Sequence, residues 1–150
     1  MNSVILFAAP SVLIAIGSLV YLWGNDSVKN DLASRWKFSA ACFVLPGLLF
    51  LLLFFSLAIH MHKSLGQWPE RIGSEGFPPS LITHGDIAVL YFSGLLLFVL
   101  FAWPILVGVF AGIPRAKPYL PLILGPGVSF WIFVPWMFLA PADFLNWWWD

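Results

Sequence analysis

The sequence predicts an all-α membrane protein: four transmembrane helices in an up–down–up–down antiparallel bundle, with a compact extracytoplasmic loop between helices two and three. Three observations carry this. Four apolar stretches, Val4–Trp23, Phe38–Met61, Ile87–Ile113 and Leu120–Pro141, contain no Asp, Glu, Lys or Arg. Each reaches the roughly 20 residues that a helix needs to cross a bilayer core. Charged residues are 9% of the chain, against about 25% in a soluble domain. The 150 residues therefore form a single membrane domain with no room for a second folded unit.

The first stretch, residues 4–23, is expected to be a retained helix. Met1-Asn2-Ser3 carries no positive charge, the apolar run is longer than a signal-peptide core, and no A-x-A cleavage site follows. Loop 24–37 follows, with Lys29, Arg35 and Lys37. The second stretch, 38–61, holds Pro46 and the lone Cys42, which has no cysteine to pair with and is expected to behave as a small buried hydrophobe. The third, 87–113, holds Pro104 and ends in Gly108-Val109-Phe110-Ala111-Gly112. Two glycines four apart lie on one face, where a second helix can approach, so Gly108 and Gly112 are candidate helix-packing residues. The short turn 114–118 carries Arg115 and Lys117. The fourth stretch, 120–141, is interrupted by Gly125-Pro126-Gly127 and Pro135. Each internal proline removes an N–H and frees a carbonyl, which in lipid must find a partner within the protein. Gly125-Pro126-Gly127 is read as a kink that fits the bundle, because no charged group lies near it.

Lys and Arg sit five to two in favour of loops 24–37 and 114–118, which are therefore expected on the cytoplasmic side. Both termini and the middle loop then face outward, in what is expected to be a bacterial cytoplasmic membrane. Trp23, Trp36, Trp147, Trp148 and Trp149 are expected interfacial anchors, because indole favours the headgroup zone.

The middle loop, 62–86, is the one sizeable polar region. Leu65, Trp68, Ile72, Phe77 and Leu81 are frequent enough to fold it back over the helix ends, and Gly66, Gly73, Gly76 and Pro78-Pro79 favour turns. Glu70 and Arg71 read as a solvated face. His60 and His62 end the second helix, and His84 and Asp86 begin the third, with Thr83 as the expected N-cap. His60, His62 and His84 are the candidate cofactor-binding residues, and His60, His84 and Asp86 the candidate metal ligands; haem or a metal ion is the group such a set would hold. On a helix His60 and His62 point to nearly opposite sides, so both reach one ligand only if the helix has already ended.

The four stretches carry no charged group near the midplane, their polar residues including Ser11, Ser18, Ser39, Ser56, Ser93, Ser129 and Tyr91, which counts against ion-coupled transport. Zero net charge gives no basic surface for nucleic acid. An accessory or structural subunit that packs against larger membrane partners, or against a second copy of itself, needs no catalytic set and ranks first. A haem- or metal-binding redox protein using the outer histidines is the alternative, and an enzyme acting on a lipid-type substrate at the outer leaflet the second.

Overall fold

The computed structural model describes residues 2–34, 36–69 and 73–149, excluding the side chains of residues 2–8, 27, 31 and 36. Every regular element among the described residues is helical. The order is α1 (Asn2–Gly24), α2 (Asp26–Ser34), α3 (Trp36–Leu65), α4 (Pro79–Leu97), a π turn (Phe98–Ala102), α5 (Trp103–Gly112), α6 (Leu120–Phe133) and α7 (Ala142–Trp149). Tight 3₁₀ segments at Lys117–Tyr119 and Val134–Leu139 flank α6. Three helical stretches are long and apolar enough to cross a membrane: Lys37–Leu65, Pro79–Gly112 and Lys117–Leu139. A fourth is added if the Ala9–Gly24 and Val28–Ser34 stretches, bent by 91°, form one broken span.

Several boundaries differ from those read in the sequence. Residues 26–34, expected in a loop, form α2. Asn25 accepts the Val28 N–H on Oδ1 (3.3 Å), Asp26 occupies the first turn, and Lys29 pairs with Asp26 at 2.8 Å. The second long helix runs on to Leu65, where Gly66 at φ 73° ends it and donates its N–H to His62 O (3.0 Å). The third begins at Pro79, well before Ile87. Pro78 is its N-cap, and a proline in the first turn gives up only an N–H that would lack a helical partner anyway. Thr83 is therefore not the N-cap; its hydroxyl donates back to Pro79 O (3.0 Å). The last long helix passes through Pro126 without a break and tightens only at Val134–Leu139, where Pro135 follows the start of the 3₁₀ segment. After Pro141 the chain starts α7, which seats the fully buried Phe144.

The most extensive packing is between α3 and α6, with α4 against α3 and α1 against α6. Glycine makes it close. A Cβ at Gly47 would lie 2.5 Å from the Phe133 ring, one at Gly125 would lie 3.0 Å from the Cys42 carbonyl group, and one at Gly127 would fall within the Trp103 indole. At the same junction, side chains of neighbouring helices bond the backbone beside both prolines. Gly47, just past Pro46, donates its N–H to the fully buried Ser129 Oγ (2.9 Å). Tyr91 of α4 donates its hydroxyl to Pro46 O (2.9 Å), and Trp103 of α5 donates its indole N–H to Ile123 O (2.8 Å), beside Pro126. Around this junction Phe50, Phe54, Leu57, Met61, Val99, Val128 and Phe130 complete a buried core.

Two predictions follow from this geometry. Gly127→Ala should lower stability by about 1–3 kcal/mol through overpacking against Trp103, while Gly94→Ala, whose Cβ would meet nothing, should leave it unchanged or raise it by up to about 1 kcal/mol. Ser129→Ala should cost about 1–3 kcal/mol, because it strands the buried Gly47 N–H. Thermal melts of detergent-purified protein measure all three.

Candidate functional site

The end of α3 and the start of α4 bring Ser56, His60 and His84 together. Ser56 and His60 are four residues apart, so they lie on one face of α3. His84, from the second turn of α4, sits between them and touches both with opposite ring nitrogens. Its Nε2 is 3.1 Å from Ser56 Oγ, and its Nδ1 is 3.0 Å from His60 Nδ1.

The bonding pattern assigns the protons. Ser56 spends its hydroxyl hydrogen on Leu53 O (3.0 Å), so its oxygen accepts from His84 Nε2–H. Neutral His84 then presents a bare Nδ1, which accepts from His60 Nδ1–H. The chain runs His60 to His84 to Ser56 to the Leu53 carbonyl, and it leaves His60 Nε2 with a free lone pair. A proton placed on His84 Nδ1 would break the link to His60.

Of the residues read from the sequence as ligands, the fold joins His60 and His84 alone. Because α3 continues to Leu65, His62 points elsewhere and lies against Trp68, ring centroids 4.7 Å apart. Asp86 is exposed on the rim of a different cleft, of about 180 Å³, lined in part by Met61, Phe77, Leu81 and Trp147. Among the described residues no three His, Cys, Asp or Glu side chains gather as a metal-binding group. The His60 and His84 Nδ1 atoms lie 3.0 Å apart, at hydrogen-bond distance, with ring centroids 5.3 Å apart. Tetrahedral zinc would take two such nitrogens about 3.3 Å apart and needs further ligands beyond them.

The other candidates have separate settings. Gly108 and Gly112 lie on an open face of α5, where a Cβ would meet nothing within 4 Å. Trp23 is 82% exposed. Trp147 donates its indole N–H to Gly73 O (3.0 Å), and Trp148 packs edge-on to Phe54 and Phe92 (5.1 and 5.7 Å), while Trp149 is largely exposed. The Trp36 side chain and residues Glu70, Arg71 and Ile72 lie outside the described residues. Leu65, Trp68 and Phe77 pack against the core, and Leu81 is buried within it. Reasoning from the sequence counted Ser56 only as a polar residue of the second stretch. Its spacing of four from His60 was the available signal.

The fold and the cluster thus define a small helical chain with several helices able to cross a membrane and a hydrogen-bonded histidine pair between two of them. Compared with protein-family models, with curated proteins and with solved structures, the chain matches none.

The His60–His84 link needs an unprotonated His84 Nδ1, so it should be lost when acid protonates both rings. Melting temperature should therefore fall on acidification through the imidazole range, and His84→Asn should flatten that fall. A wild-type and a variant profile that coincide would refute the assignment of protons.

Proposed function

We propose that the chain is a multi-pass integral membrane protein that serves as an accessory or structural subunit. The helix 79–112 offers its uncovered face to a larger membrane partner. In this reading the helices run up–down–up–down, the loop between α3 and α4 caps the outer side, and residues 24–37 and 114–118 face the cytoplasm. The support for that orientation is the distribution of Lys and Arg.

The carrying observation is how the glycines divide. Gly47, Gly125 and Gly127 are filled by close contacts inside the chain, whereas Gly94, Gly108 and Gly112 meet nothing. The open glycines share α4 and α5 with Leu90, Leu97 and Ile105, which are 75%, 57% and 67% exposed. From 90 through 94, 97, 105, 108 and 112 these positions recur at helical spacing, with the extra residue of the π turn at Phe98–Ala102 absorbed between 97 and 105. Small residues flanked by large apolar ones on a helix surface let two backbones approach in lipid, where packing rather than water drives association.

Pull-down in mild detergent tests the reading. Gly108→Leu with Gly112→Leu should abolish recovery of a stoichiometric membrane partner and leave the melting temperature within about 2 °C, because none of the described residues fills that space. Recovery of the partner undiminished by the double variant would count against this face. A reporter fused after Asp150 should be active only outside the cytoplasm; cytoplasmic activity would reverse the orientation.

A further inference from the structure

A second cleft, of about 340 Å³, opens on a different face of the α3 end from Asp86's cleft. Its floor is a column along α3, in which Phe55, Ile59 and Lys63 recur every four residues and so stack on one face. Its far wall is Trp68 and Pro141. That wall exists because the chain breaks at Pro141 and α7 folds back, so that Phe144 packs on Phe54 (5.0 Å) and on Trp68 (6.1 Å).

The polarity of the cleft is graded along α3. Phe55 and Ile59 make its end away from Leu65 apolar. Lys63 and His62 stand at the helix end, the His62 ring held on the Trp68 indole. Among the described residues the lining contains one cationic side chain and an imidazole, and no carboxylate. Among the described residues Lys63 forms no ion pair. An occupant must therefore be apolar at one end and anionic at the other, with the two ends in the order in which a bilayer lipid presents them.

We infer that this cleft seats one anionic phospholipid, with its phosphate on Lys63 and His62 and an acyl chain along Ile59 and Phe55. The inference rests on the membrane-integral reading above. It goes beyond that reading by naming a ligand class and a site. The head end works by charge, since a lysine at the interface attracts an anionic headgroup. The chain end works by shape, since the cleft admits one chain between α3 and the Trp68–Pro141 wall.

The test is native mass spectrometry of the full chain released from nanodiscs of equal phosphatidylglycerol and phosphatidylcholine. One phosphatidylglycerol should remain bound, about fivefold over phosphatidylcholine, the preference that one interfacial cation supplies. Lys63→Gln should bring the ratio to about one and Lys63→Arg should keep it, by the same charge argument. Ile59→Trp, which fills the cleft and leaves the charges, should lose the bound lipid. Lys63 and Ile59 are exposed, so each variant should melt as the parent does. Equal retention of the two lipids, or a preference that survives Lys63→Gln or Ile59→Trp, overturns the site. A chain that alkaline carbonate strips from membranes overturns the membrane reading and the site with it, and is distinguishable from a chain that resists stripping but shows no lipid preference.

Discussion

The junction of two proline-containing helices, α3 at Pro46 and α6 at Pro126, is the constraint around which the rest is arranged. A proline inside a helix takes away one donor and pushes aside the carbonyl four residues earlier. In apolar surroundings those groups have no water to turn to, and each unmet one costs several kcal/mol. Beside both prolines the backbone takes side-chain partners from other helices: Ser129 accepts the Gly47 N–H, Tyr91 donates to the Pro46 carbonyl, and Trp103 donates to the Ile123 carbonyl. The Gly47–Ser129 bond needs α3 and α6 close together, which Gly47 and Gly125 allow, and Gly127 admits the Trp103 indole of α5 in the same way. Prolines and glycines thus fall at one junction, where the glycines let side-chain partners reach the backbone.

The π turn belongs to the same logic. Pro104 would collide with the Leu100 carbonyl in a regular α-helix, and the wider turn over Phe98–Ala102 spans that residue. The turn also sets the azimuth of everything beyond it. Trp103 reaches α6 because α5 is rotated relative to α4, and the same rotation keeps Gly108 and Gly112 in line with Gly94. One local adjustment therefore serves both the buried face and the uncovered one.

How much of this the sequence discloses depends on the kind of feature. The apolar stretches were legible because a run without charge needs no partner to be recognised, and three of them correspond to long helices. Their ends were not. Ile87 marked where charge stops, whereas the helix starts at Pro79, because Pro78-Pro79 fixes the backbone and polar residues such as His84 and Asp86 are tolerated in the first turns. Helix α2 was hidden in a charged segment that reads as a loop until Asn25 is seen to cap it. The candidate site was half legible. That His60 and His62 diverge follows from helical spacing once α3 is known to run on to Leu65. That His84 would enter between Ser56 and His60 depends on the rotation of α4 about its axis, which the packing against α3 decides and no local pattern records.

The two ends of the α3–α4 pair consequently have different characters. Towards the Pro46 junction the Gly47 N–H and the Pro46 and Ile123 carbonyls take partners within the chain, while the buried Trp131 indole N–H has none among the described residues. Towards Leu65, among the described residues, Lys63 forms no ion pair and Asp86 lines a cleft. Trp68 connects these features physically, carrying His62 on one side and Phe144 on the other, and α7 is held down by Phe144 and by the Trp147 bond to Gly73. Helix α7 thus touches both clefts: Trp147 lines the Asp86 cleft and bonds Gly73 there, and Phe144 packs on Trp68 of the Lys63 cleft. The histidine pair stands apart from it, since its links run only through α3 and α4. The polar end therefore contains two separate units: a hydrogen-bonded link between α3 and α4, and a pair of clefts bordered by α7.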